Sequence, residues 1–275
     1  MNIGTRSRVV VWLDPTAAQD DVLQVLSGLG SAAEVLGLFI EDTNLLDLSS
    51  LSVAREFTIE GATVRQLDKR NIERQFRANA ARMRAAFEKA AQATSARRSF
   101  RVARGELASE LLKLSTECDT LVVAHSRRNF GPRLTIRTQL NELLLCGPRT
   151  LIFVQEQWRT GERVVVLFDG TPSGKAALRT AEMISGSEGL ALSVLLPTTS
   201  EENRRELEAQ IAEELNRNAD HTLIVLSTDD IDELVRAADS EHARVMVLPD
   251  SEPTVTYRRI AELLDRVNCS LIVTR

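Results

Sequence analysis

The sequence predicts an α/β protein built as two tandem units, each an open five-stranded parallel sheet with helices on both faces. Three observations predict it. The first is an internal repeat: Arg8-Val9-Val10-Val11-Trp12-Leu13-Asp14 returns as Arg163-Val164-Val165-Val166-Leu167-Phe168-Asp169. The second is that strand-like runs alternate with helical stretches along the whole chain, the pattern of parallel βαβ units with right-handed crossovers. The third is that the strand-like runs are almost continuously apolar. Strands lose their polar alternation when helices cover both faces of the sheet. Aromatic residues make up only 4% of the chain, so the cores are expected to be aliphatic.

In each copy the first strand runs into a turn, Pro15-Thr16 in one and Gly170-Thr171-Pro172-Ser173 in the other. A helix follows, and in the second copy Ala177, Leu178, Ala181 and Ile184 fall at helical spacing. The second strands are Glu34 to Ile40 and Leu190 to Leu196. The copies then diverge. The first has a loop rich in Asp, Leu and Ser, from Glu41 to Arg55, and a long helix from Gly61 to Ala93. Phe76, Ala80, Met83, Phe87 and Ala90 form its apolar stripe, with Arg74, Arg77, Arg82 and Arg84 around the polar side. The second has a shorter helix, Glu201 to Asn218, with Leu207, Ile211 and Leu215 as its stripe. Third strands are expected at Ser99 to Ala103 and Thr222 to Leu226, each followed by a helix, Ala108 to Thr116 and Ile231 to Ala238. Fourth strands are Thr120 to Ala124 and Arg244 to Leu248, and last strands Thr150 to Val154 and Ser270 to Thr274. The polar stretch Gln155 to Glu162 reads as the linker, which divides the chain into units 1–156 and 157–275. Trp158 within it is expected to pack at the interface between them.

A net charge of −5 argues against general nucleic-acid binding. No apolar run reaches the roughly 18 residues that a membrane span needs, and Met1 to Arg8 lacks the apolar core of a secretory signal. Cys118, Cys146 and Cys269 are far apart and show no metal-type spacing. They read as small buried apolar residues, and so sparse a set suits a reducing, cytoplasmic location.

Asp169-Gly170-Thr171-Pro172-Ser173 with Ala176-Ala177-Leu178 resembles the first strand and turn of the universal stress protein family, and Asp14-Pro15-Thr16 is a weaker version. Gly105-Glu106, Leu111-Leu112 and Cys118-Asp119-Thr120-Leu121-Val122-Val123 also resemble it, and the likeness spans the chain as two copies. The resemblance implies two Rossmann-like domains of the adenine nucleotide alpha hydrolase type. ATP-binding members of that family carry a loop G-x-x-G and, further on, G-S/T after the fourth strand. Its glycines let backbone N–H groups approach phosphate beside a helix N-terminus. Counting back from the last strand of the first copy, Ala124 and Arg127 stand at the paired glycines, Arg137 at the third glycine and Thr138 at the Ser/Thr. Only Thr138 matches. The second copy, Leu248-Pro249-Asp250-Ser251-Glu252-Pro253-Thr254, has no glycine and places two acids where phosphate would sit.

Two readings stay open for the first-copy loop, where Arg127, Arg128, Arg133 and Arg137 surround Gly131. It is a solvated basic rim, or it holds ATP or another anion through arginine forks. Asp14 and Asp169 likewise either cap the following helix or contact a ligand at the carboxyl ends of the strands. The resemblance places Ile40 and Leu196 at the family's apolar position ending the second strand. The candidate nucleotide or anion site is therefore Asp14, Ile40, Arg127, Arg128, Arg137 and Thr138.

No catalytic residue and no metal ligand is assigned. His125-Ser126 near Asp14 invites a hydrolase reading, but no G-x-S-x-G elbow is present. Asp20-Asp21, Asp229-Asp230 and Glu201-Glu202 read as helix-start acids rather than metal ligands. Arg97, Arg98, Arg101 and Arg104 flank the third strand of the first copy as surface charge, with a sheet-edge or partner contact as the alternative.

The expectation is a non-enzymatic stress-response binding protein that does not take ATP in the usual way. The alternative is a nucleotide switch or slow ATPase using the first copy. The two units are expected to pack as an intramolecular pseudo-dimer through Leu151, Phe153, Leu271 and Val273, as the family's last strands do. A homodimer or another protein partner is compatible with the surface of the long helix and the Leu45 to Leu51 loop.

Overall fold

The computed structural model describes residues 8–15, 34–51, 55–58, 63–66, 68–92, 95–125, 147–155, 161–215, 220–227, 230–251 and 253–275. In chain order they form β1 (Arg8–Trp12), β2 (Glu34–Asp42), α1 (Thr43–Ser49), β3 (Arg55–Thr58), β4 (Thr63–Gln66), α2 (Lys69–Ala91), β5 (Arg97–Gly105), α3 (Leu107–Ser115), β6 (Thr120–His125) and β7 (Thr150–Gln155). Then follow β8 (Arg163–Leu167), α4 (Pro172–Glu188), β9 (Ala191–Pro197), α5 (Glu201–Glu214), β10 (His221–Leu226), α6 (Ile231–Ser240), β11 (Ala243–Pro249), α7 (Pro253–Arg266) and β12 (Ser270–Thr274).

Ten strands form one sheet in the order β10-β9-β8-β11-β12-β7-β6-β1-β2-β5. Every pairing is parallel except the central one, where β12 and β7 run antiparallel. The sequence predicts two open sheets, but the last strands close the gap between them. Leu271 stands opposite Phe153 and Val273 opposite Leu151. All four are buried. Two strands that apolar would otherwise be edges, with unpaired backbone groups, so pairing them satisfies both at once. Gln155 adds side-chain bonds across the junction: its Nε2 donates to the carbonyls of Val267 (3.0 Å) and Leu264 (3.4 Å), and its backbone N–H donates to Ser270 Oγ (3.0 Å).

The core lies in two layers, one on each face of the sheet, and each layer crosses the junction. One collects α1, α2, α4 and α5 residues over Val9, Val11, Val164 and Val166. The other collects α3, α6 and α7 residues over Val10, Trp12, Val165 and Leu167. The stripe read from the sequence of α2 is the buried one: Phe76, Met83 and Phe87 are buried, while Ala80 and Ala90 pack against the same layer. Gly37 in β2 makes that packing possible, because a Cβ there would lie 2.8 Å from the Phe87 ring and 2.9 Å from the Phe100 ring. Arg84 spreads over Phe100, 4.8 Å from the ring centroid.

Several boundaries differ from those the sequence predicts. The loop from Glu41 to Arg55 contains a helical segment, α1, capped by the Asp42 carboxylate, which accepts from Asn44 N–H at 3.0 Å. The helix expected from Gly61 begins at Lys69. The preceding chain forms the β3–β4 hairpin, and the Asp68 carboxylate caps α2 by accepting from Arg70 N–H at 3.1 Å. β5 extends two residues further at each end than expected, because it pairs with β2 along its whole length from Arg97 to Gly105. α5 ends at Glu214, and Leu215 turns extended while staying buried.

Candidate functional site

In sheets of this kind, ligand crevices lie beyond the carboxyl ends of the strands. In the second half, β8 ends at Leu167, and Asp169 follows in a turn that depends on the positive φ of Gly170 (77°). Asp169 Oδ1 accepts from Thr171 N–H (3.0 Å) and from Thr171 Oγ1 (2.6 Å). Its Oδ2 accepts from Ser251 Oγ, which belongs to the segment after β11. Thr171 is the N-cap of α4, its Oγ1 accepting from Gly174 N–H at 3.0 Å, and Pro172 opens the first turn. Thr171 Oγ1, Ser173 Oγ and Ser251 Oγ lie within 3.2 Å of one another. Asp169 thus braces the turn and ties it to the neighbouring strand end. Both of its oxygens are engaged by the hydroxyls of Thr171 and Ser251, and the Ser173 hydroxyl lies within hydrogen-bonding reach of both of those.

Gly174 is part of this closure. A Cβ at that position would come within 2.3 Å of Asp169 Oδ1. Gly174→Ala is expected to cost about 1–3 kcal/mol of stability, the usual range for overpacking, despite alanine's better helix propensity. The loss is read in a urea melt, and an unchanged midpoint would show that the carboxylate does not lie over the helix start.

Beside this turn, the Asp250 side chain is 1% exposed and pairs with Arg275, whose Nε lies 3.0 Å from Oδ2. Asp250 Oδ1 is buried with no hydrogen bond. Arg275 also donates from Nη1 to Gly147 O (3.1 Å) and from its backbone N–H to Arg149 O (3.0 Å), so it bridges from the end of β11 to the start of β7. The two acids read from the sequence as unfavourable to phosphate are Asp250 and Glu252. Asp250 is committed to this internal pair, and Glu252 lies outside the described residues.

In the first half, Asp14 is buried just beyond β1, and Arg82 from α2 donates to the carbonyl of the next residue, Pro15, at 3.3 Å. Trp12 pairs with Leu38, so Asp14 and Ile40 stand at the same level at the ends of adjacent strands. Ile40 is buried in the α3-side layer, level with Ala103 on β5. The next residue, Glu41, is nine-tenths buried, and both Nε and Nη2 of Arg104 reach its Oε2 at 2.7 Å. Sequence reasoning missed this pair. Arg127, Arg128, Arg133, Arg137 and Thr138 lie outside the described residues, as do Ser126, Gly131, Cys146, Trp158, Asp20, Asp21 and Asp229. The structure therefore brings Asp14 and Ile40 to one level and leaves the arginine loop undescribed.

No group of metal-ligating side chains occurs among the described residues, and no described helix is long and apolar enough to cross a membrane. Glu201 and Glu202 sit in the first turn of α5, and Asp230 is the N-cap residue of α6. Burial, reinforced by the neighbouring Asp119 carboxylate, pushes the Cys118 thiol up to about 12, so it stays protonated and unreactive at neutral pH. Cys269 is buried in the core.

No model of a protein family matches the chain. No curated protein matches its sequence. Solved structures do match in fold. A universal stress protein from Archaeoglobus fulgidus DSM 4304 superposes with a TM-score of 0.65 at 12% identity, covering 98% of this chain and 96% of that one. A putative universal stress protein from Pseudomonas aeruginosa UCBPP-PA14 gives 0.61 at 14% identity, covering 98% and 93%. The cytoplasmic domain of a prokaryotic cation chloride cotransporter gives 0.58 at 13% identity, covering 98% and 95%. Over almost its whole length, the chain has the α/β fold, with a large and mostly parallel sheet, that these universal stress proteins share.

Proposed function

We propose that the chain is a non-enzymatic, stress-related regulatory protein of the universal stress type. In this reading it consists of two such units in tandem, 1–156 and 157–275, packed as an intramolecular pseudo-dimer, and it resides in the cytoplasm. The observation that carries this reading is the internal satisfaction of the second-half turn. Asp169 spends both carboxylate oxygens on Thr171 and Ser251, and no glycine loop follows β11 to present N–H groups to phosphate. A nucleotide entering there would have to displace these bonds and approach the buried Asp250 charge. The antiparallel β7–β12 pairing supports the pseudo-dimer.

The test is a thermal-shift panel of adenine and guanine nucleotides, with and without Mg²⁺, on the full chain. A ligand at 100 times its Kd adds about 2.7 kcal/mol to stability, or roughly 5–10 °C in a chain of this size. The expected result is no shift with any nucleotide, and no ultraviolet-absorbing compound released when the purified protein is denatured. A shift abolished by substituting Asp14 would instead establish the first half as a nucleotide switch.

A further inference from the structure

The two outer edges of the sheet are chemically opposite. Among the described residues, β5 and β10 are the terminal strands, each paired on one side only. Arg97, Arg98, Arg101 and Arg104 give β5 four positive charges in nine residues, all exposed. Arg104 is held by Glu41 and Arg98 by the Ala91 carbonyl, while Arg97 and Arg101 have no such partner among the described residues. β10, His221–Leu226, carries no acid, lysine, arginine or proline. Exposed Asp220 precedes it, and exposed Asp230 and Asp232 follow it, Asp232 being paired with Arg266 of α7. The asymmetry runs through the chain: residues 1–156 hold 21 Lys and Arg against 18 Asp and Glu, and residues 157–275 hold 13 against 21.

We propose that the β5 edge of one molecule pairs with the β10 edge of a second copy, joining molecules head to tail into a continuous sheet. Strand direction reverses only at the β7–β12 junction, so β5 and β10 run opposite ways. A copy displaced sideways along the sheet therefore meets its neighbour in antiparallel pairing, the same arrangement that the central junction uses. The faces also match. Val102 (39% exposed) shares a strand face with Phe100, and Val225 (45% exposed) with Leu223. Phe100 and Leu223 both pack on the same core layer. By strand alternation the two exposed valines thus lie on the same side of the sheet and meet when the edges join. Leu45 and Leu48 of α1, also exposed, extend that apolar strip beside β5. Pairing β5 with itself would set arginines against arginines. Pairing β10 with itself would join two edges that carry no Lys or Arg, each with exposed Asp220 at its start. Only the heterologous contact joins opposite charges, and a contact repeated by displacement along the sheet, with no rotation that brings the ends together, grows as an open chain.

The test is sedimentation velocity on the full chain over a range of concentrations. At low ionic strength the weight-average mass is expected to at least double and to keep rising with concentration. It should return to the monomer in about 1 M salt, where the screening length is roughly 3 Å. Two variants separate the geometries: Arg97→Glu/Arg101→Glu blocks the β5 edge, and Val225→Arg blocks the β10 edge. Each alone is expected to be monomeric with the circular dichroism and melting midpoint of the parent. Mixed in equal amounts, they should form a dimer that stops growing, since each retains the edge the other lacks. A parent chain that stays monomeric at low salt overturns the proposal. So does self-association of either variant alone, which would mark a symmetric contact through its intact edge, and so does a mixture that fails to combine.

Discussion

Replacing Phe153 with alanine is expected to destabilise the protein by about 3–5 kcal/mol, the range for removing a large aromatic side chain from a core. Phe153 is fully buried in the middle of β7, directly opposite Leu271 on β12. It belongs to the layer that holds Ile260, Leu263 and Leu264 of α7, so the cavity would open at the junction rather than inside either half. In a chain of this length the loss corresponds to a fall of roughly 6–20 °C in melting temperature. Urea denaturation measures it directly, read as a lowered midpoint with the slope retained. If the junction were loosely packed the loss would fall below about 1 kcal/mol, and the continuity of the sheet across β7 and β12 would be wrong.

Arg275→Ala is expected to produce the second large loss, about 3 kcal/mol. Its guanidinium is the charged partner of Asp250, whose carboxylate is 1% exposed while the arginine side chain is 28% exposed. Removing the arginine leaves a buried negative charge with one oxygen already unbonded and also deletes the bond to Gly147 O that crosses to the other half. The figure is set at the lower end for broken buried pairs because water reaches the arginine. The double variant Asp250→Ala/Arg275→Ala should lose less than Arg275→Ala alone, since it removes the stranded charge together with its partner. Equal losses in the two variants would show that the arginine acts through packing and the Gly147 contact, not through Asp250.

The elements most legible in the sequence are those whose residues report their environment locally. Val9 to Trp12 and Val164 to Leu167 are apolar without interruption because both of their sides are covered, and both lie in the buried core. The α2 stripe was legible for the same reason, since Phe76, Met83 and Phe87 recur at the helical period. The β3–β4 hairpin and α1 were not. A four-residue strand and a seven-residue helix are too short for periodicity to separate from a loop. At the candidate site, Asp169, Gly170 and Thr171 announced a strand-ending turn. Ser251 stands 82 positions away from Asp169, and no local pattern marks it as the carboxylate's third donor. The Glu41–Arg104 and Asp250–Arg275 pairs were hidden for the same reason.

By itself the sequence determined the class of fold, the order along the chain of the ten strands of the main sheet, and the absence of glycines from the second-half loop. These follow from burial and backbone freedom, which each residue carries with it. The tertiary structure alone decided that ten strands share one sheet, that the turn at Asp169 satisfies itself through Thr171 and Ser251, and that a basic edge and a charge-free edge face opposite ways. Those outcomes depend on which distant groups a strand register brings within hydrogen-bonding reach, and register is a property of the assembled sheet.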